Sequence, residues 1–190
     1  MSRFDNNALW PVAAAVSAAL LPAQIVVAST YLTTEGAQRA LFPSAQSFDE
    51  LKLAPTAEQL QAIAGAAGPQ APHGRLRAWR ALEDGKTVGY VFVDEVVGRE
   101  DFITYAVGID AQGKLRPVEI LEYRESHGGE IRNKRWLAQF GGRGAQGELR
   151  FRTDIKNIAG ATLSSEHVTA GVRRILALWQ IVVQPAPAGG

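Results

Sequence analysis

The sequence predicts an α+β domain, an antiparallel sheet with helices packed on one face. Three observations carry this. Between Arg75 and Glu122 strand-like segments follow one another across short turns, the pattern of an antiparallel meander. Helical periodicity comes only afterwards, from Asn133 and from Leu163. Strands first and helices after favour segregated elements over the alternation of a parallel α/β fold. The 190 residues carry a formal net charge of +1. That length can bury a core, and the charge gives no bulk attraction to nucleic acid, so no nucleic-acid partner is expected. The chain has no cysteine, which excludes disulfides, iron–sulfur clusters and c-type haem attachment.

Residues 1–28 form the first segment. Arg3 is the only positive charge before an apolar run from Val12 to Leu21, followed by Pro22 and Ile25–Ala28. Val26-x-Ala28 fits small-residue cleavage of a secretory signal peptide. Trp10–Ala28 also approaches the ~20 residues of a membrane anchor. Either reading places the domain in the periplasm or on the outer face of the cytoplasmic membrane.

Residues 29–74 read as an N-terminal helical arm and linker. Leu32, Ala37, Ala40 and Leu41 have helical spacing and Pro43 stops it. Thr56 with Gln59 three residues on is a capping-box signal. Gly65–Gly74 is rich in Gly, Ala and Pro and reads as a loop carrying a solvated His73.

Residues 75–184 hold the domain proper. Leu76, Ala78 and Leu82 suggest a first strand. Val88–Val93 is apolar on both faces, as a central strand requires. Ile103, Tyr105, Val107 and Ile109 alternate cleanly. Asp110–Lys114 makes a glycine-containing hairpin loop, and Val118, Ile120 and Leu121 open the next strand. Trp136 and Phe140 are a helical i,i+4 core pair. Leu149 and Phe151 alternate with Arg150 and Arg152, the pattern of a half-buried strand. Ile155 and Ile158 lead inward to Ala159-Gly160-Ala161, which allows close backbone approach. Thr162 is placed to cap the next helix with its hydroxyl. That helix buries Val168, Val172, Ile175, Leu176 and Trp179. Its N-terminus is suited to an anion, because free N–H groups and the helix dipole favour a phosphate. Arg124, Arg132, Lys134, Arg135, Arg143, Arg150 and Arg152 read as a mostly solvated basic face. His167 reads as an exposed helix residue. Residues 185–190 are expected to be a disordered tail.

Gly160-Ala161-Thr162-Leu163-Ser164-Ser165 resembles the GAT-x-(Ser/Thr)-Ser signature of the FMN-binding domain family. That family includes the C subunit of the sodium-translocating NADH:quinone reductase and the G subunit of the Rnf complex. Upstream, Glu125-Ser126-His127-Gly128-Gly129 and then Trp136 to Gly141 resemble its E-T-P-G-L-G loop and W-x-x-x-F-x-G helix. Their order and separation also fit, and the resemblance runs from Arg75 to Val183.

The resemblance implies an FMN-binding-domain-like fold and FMN held by a phosphoester on Thr162. A flavin transferase outside the cytoplasm would make that bond. Gly160, Ala161, Leu163, Ser164, Ser165, Glu125, Ser126, His127, Gly128, Gly129 and Trp136 would surround the cofactor. His127 either lies against the ring edge or caps a turn. The implied role is electron relay to or from a membrane-bound partner, as a redox subunit rather than a stand-alone substrate-converting enzyme. No Ser-His-Asp order, metal-ligand spacing or acid/base pair stands out. Four positions depart from the family pattern. Lys156 stands where it has Asp, Ala159 where it has Ser or Thr, and His127 where it has Pro, and the loop leucine is missing. The first two bear on covalent attachment, because the transferase reads that motif. The alternative is a non-catalytic module that binds FMN noncovalently or serves assembly.

Overall fold

The computed structural model describes residues 29–69, 73–144 and 149–184. The leader and tail expectations fall outside these residues. Among the described residues, no helix is long and apolar enough to cross a membrane.

Six strands form one antiparallel sheet: β1 Ser29–Thr30, β2 Ser47–Leu51, β3 Arg77–Glu83, β4 Lys86–Val97, β5 Phe102–Asp110 and β6 Glu119–Tyr123. Their order is β1-β6-β5-β4-β3-β2. The meander expected between residues 75 and 123 supplies the four central strands. The segment expected as a helical arm supplies both edges. β1 pairs with β6 and β2 pairs with β3, with helix α1 (Thr34–Leu41) between them. Thr33 caps α1 through its side chain, and the helix ends at Phe42, just before Pro43.

β4 is central and apolar on both faces because both faces are covered. Phe92 and Val96 join the larger core, which contains helices α2 (Ala57–Ala67) and α4 (Thr162–Leu178). Val91 and Val93 face the smaller core under α1, with Ala37, Leu41 and Phe42. The helices that follow the meander thus lie on one face, as expected, and α1 covers part of the other. Thr56 and Gln59 form the expected capping box. α2 continues to Ala67, so the first part of the expected linker is helical.

Helix α4 fixes the site. Val168, Val172 and Ile175 are fully buried and Leu176 and Trp179 nearly so, the face its 3.6-residue period predicts. A buried ion pair clamps it to the sheet. Arg174 Nη2 lies 2.7 and 2.6 Å from the two carboxylate oxygens of Asp94 on β4, and the Tyr105 hydroxyl also donates to Asp94. His167 is half-buried rather than exposed. Its Nδ1 sits 2.6 Å from the Val97 carbonyl and ties the helix to the end of β4.

The strand expected over residues 149–152 does not form. Leu149 is buried and Arg150 and Arg152 are exposed, so the alternation is present. The backbone instead turns back, with one bridge between Phe151 and Ile155. Arg152 adopts φ +69°, and the Asp154 carboxylate accepts from the backbone N–H and side chain of Arg150. Those bonds hold the Asp154 carboxyl below its ordinary range.

Candidate functional site

The site begins where β6 ends. Tyr123 closes that strand, and its hydroxyl donates to the His127 carbonyl four residues on. This folds Arg124–Gly128 into a loop. Gly128 sits at φ +86°, a left-handed conformation in which a Cβ costs energy. A Cβ there would also lie 2.7 Å from the Tyr123 hydroxyl and 3.4 Å from the Ala161 Cβ. The loop backbone therefore lies against the turn that starts α4. Gly160 in that turn has φ +87° with nothing within 4 Å of its Cβ position.

Between the two turns lies a surface cavity of about 290 Å³, lined by Arg99, His127, Gly128, Gly160, Ala161, Thr162, Leu163 and Ser164. The separated motifs of the sequence thus meet across one opening. Leu163 is 47% exposed and forms an apolar wall. Ser164 is nearly buried and lines the cavity.

Thr162 is not the helix cap. Ala161 holds that position, with φ −129° and ψ 38°, and no side chain caps α4. The Thr162 hydroxyl is therefore not consumed by the helix. The first-turn N–H groups, which have no intrahelical partners in any α-helix, lack a side-chain acceptor here. Thr162 Oγ1 accepts instead from Asn157 Nδ2 at 3.1 Å.

The other expected site residues lie around this cavity rather than in its lining. Glu125 Oε1 accepts the backbone N–H groups of Arg99, Glu100 and Asp101. Its work is to shape the β4–β5 turn, which brings Arg99 to the cavity. Ser126 bonds the His127 ring through Nδ1 at 2.9 Å. Gly129 opens a short 3₁₀ turn, Gly129–Arg132. Ser165 is fully buried and faces Asn157 and the Thr162 carbonyl. Trp136 stands behind, on helix α3 (Lys134–Leu137), in an edge-to-face pair with Phe140 at 5.3 Å. Its indole N–H donates to the Lys156 carbonyl at 2.6 Å and props up the segment before Gly160. Trp136 borders a neighbouring cleft of about 550 Å³ with Arg135, Lys156, Asn157 and Ile158. Of the seven basic residues from Arg124 to Arg152, only Arg143 is half-buried, bonded to the Gln139 and Asp154 carbonyls.

Sequence reasoning missed Asn157, Arg99 and Tyr123. Asn157 carried a faint local signal, a side-chain amide just ahead of a glycine turn. Arg99 and Tyr123 reach the site through the sheet register, which the sequence does not display.

An uncapped helix N-terminus opening on a cavity beside a cation is an anion-binding construction. Residues 98–177 match the model of a family described as the FMN-binding domain. The match spans both turns of the cavity. The chain is also similar to the G subunit of the Na(+)-translocating ferredoxin:NAD(+) oxidoreductase complex of Acetobacterium woodii, at 27% identity over 90% of this chain and 88% of that protein.

Gly128 lines the cavity and Gly129 does not, which makes Gly128 the expected ring-side glycine. Gly128→Ala is expected to cost about 1–2 kcal/mol from the left-handed backbone alone and to weaken FMN retention. Gly129→Ala meets only the end of the Arg132 side chain at 3.2 Å and is expected to change little. Thermal unfolding and retained FMN absorbance check both. Equal behaviour of the two variants would contradict the assignment.

Proposed function

We propose that this chain is an extracytoplasmic electron-transfer subunit carrying FMN on Thr162. The observation that carries this reading is the position of the Thr162 hydroxyl. It stands free of capping duty at an uncapped helix N-terminus, on a cavity walled by the Gly128 loop. The residues fit the group. First-turn N–H groups, the Ser164 hydroxyl and the Arg99 guanidinium can donate to phosphate oxygens. Leu163 and the side-chain-free Gly128 offer a flat ring an apolar and a backbone surface.

Attachment needs a flavin phosphoanhydride and a flavin transferase. The Thr162 Oγ–P bond forms as the anhydride P–O bond breaks. The electron pair leaves on the departing phosphate oxygen, and the hydroxyl proton passes to a base on the transferase. No oxidation or reduction accompanies that step. Bound FMN supplies one- and two-electron redox chemistry. The chain's own residues would hold the phosphate and orient the ring.

The Acetobacterium woodii relative is named as a subunit of an oxidoreductase complex. That favours a membrane-bound redox partner over a solitary role. The apolar run Val12–Leu21 supports export. A second reading, FMN bound noncovalently or a module for assembly, is favoured by Lys156 and Ala159 at motif positions.

The test is to make the full chain together with a flavin transferase and weigh the exported fraction intact. A gain of one FMN residue, retained under denaturing conditions, is the expected result. Exported protein without that gain would leave the noncovalent reading. Accumulation inside the cytoplasm alone would overturn the location.

A further inference from the structure

We propose that Asn157 is a positioning residue that presents the Thr162 hydroxyl for esterification. The inference rests on the covalent reading above. A primary amide has a donor end and an acceptor end, and here each is committed. Oδ1 accepts from Ser165 Oγ at 3.0 Å, and Nδ2 donates to Thr162 Oγ1 at 3.1 Å. Ser165 is fully buried, and its hydroxyl also lies 2.9 Å from the Thr162 carbonyl. Ser165 thus turns the acceptor end of the amide inward and leaves the donor end for Thr162.

The consequence is chemical. An amide NH₂ cannot accept a proton, so the hydrogen bond uses a lone pair of Thr162 Oγ1 and leaves its proton free. A threonine in a helix otherwise divides between two χ1 rotamers, and the bond from Asn157 selects one. The hydroxyl then reaches the transferase with its direction fixed and its proton available to an external base. Oγ–P bond formation with loss of that proton follows as described above. Such orientation decides rates, since small misplacement of a reacting group costs large factors. Trp136 supports the arrangement from behind by fixing the carbonyl of Lys156, the residue before Asn157.

The test uses the full chain and purified transferase, with mass gain followed over time. Asn157→Ala is expected to lower kcat for attachment by about 10–100-fold, with KM for the acceptor protein unchanged. Asn157→Asp keeps the shape but cannot donate, and is expected to stay slow. Ser165→Ala, which frees the amide to rotate, is expected to show a smaller loss. Melting temperatures should stay near wild type for both Asn157 variants, because the residue is exposed. In the unmodified protein, the Asn157 side-chain amide resonances should shift on Thr162→Val. Wild type labelled and Asn157→Ala labelled equally fast would overturn this role alone, as would a fully active Asn157→Asp. A raised KM with unchanged kcat would overturn it in favour of docking. If wild type gains no mass, the covalent reading falls and this role with it.

Discussion

Arg174→Met is expected to lower stability by about 3–5 kcal/mol, the usual cost of removing one partner from a buried ion pair. In a domain of this size that corresponds to roughly 6–20 °C in melting temperature. Asp94 is fully buried, and its two oxygens share one guanidinium nitrogen of Arg174 together with the Tyr105 hydroxyl. Burial raises the Asp94 carboxyl above its ordinary 3.8, and attraction to Arg174 and the bond from Tyr105 only partly offset that. The folded state therefore holds this proton more tightly than the unfolded chain does. The contribution of Asp94 to stability is fullest below the unfolded value and declines as pH rises through the folded one. With Arg174 gone, the largest opposing influence goes too, and the window of decline extends upward. The variant is expected to melt lower at about pH 8 than at about pH 5, beyond any difference seen in wild type. Adding Asp94→Asn should recover part of the loss. A variant that melts within a degree or two of wild type at both pH values would show that the pair does not hold α4.

Much of this fold is legible because its signals are local. The capping box at Thr56 and Gln59 and the apolar face from Val168 to Trp179 need only neighbours a few residues away. β4 reads as central because both of its faces are covered, which leaves apolar residues at every position from Val91 to Val93. The edge strands carry no such signal. β1 is two residues long, and β2 reads Ser-Phe-Asp-Glu-Leu with mostly exposed positions. Their pairing is set by distant partners, through the register of Ser29 with Tyr123 and of Asp49 with Arg80. The segment at residues 149–152 shows the opposite failure. Its alternation of burial is real, but the Asp154 carboxylate bends the backbone into a turn that keeps the same burial.

The site divides in the same way. Gly160, Ala161, Thr162 and Leu163 were found because the turn and the helix start are contiguous. The motif also marked Glu125, whose carboxylate is spent on backbone N–H groups of a turn more than twenty residues earlier in the chain. A sequence pattern marks a position without saying whether the side chain faces the ligand or holds the loop that does. Arg99 is the converse, a cation at the cavity that no pattern announced.

Thr162→Ala is expected to abolish covalent flavin entirely while the protein remains folded. The fold should survive because Thr162 does no capping. Ala161 occupies the cap, no side chain caps α4, and alanine suits the first helical turn. What is lost is one half-exposed hydrogen bond from Asn157, a net effect of about 1 kcal/mol or less. Attachment, by contrast, has no substitute atom at that place. Ser165 is fully buried and turned to Asn157, and Ser164 is nearly buried. Neither presents an exposed hydroxyl to an incoming phosphorus. Ser164→Ala should therefore keep the flavin bond. The measurement is in-gel fluorescence under denaturing conditions, paired with intact mass, for protein made with the transferase. A fluorescent band in Thr162→Ala would place the bond on another hydroxyl, with Ser164 and Ser165 the first to replace. If wild type itself shows no band, the deviating motif positions become the cause to test. Lys156→Asp with Ala159→Ser should then restore attachment at Thr162, because both side chains are exposed and neither is needed to form the cavity.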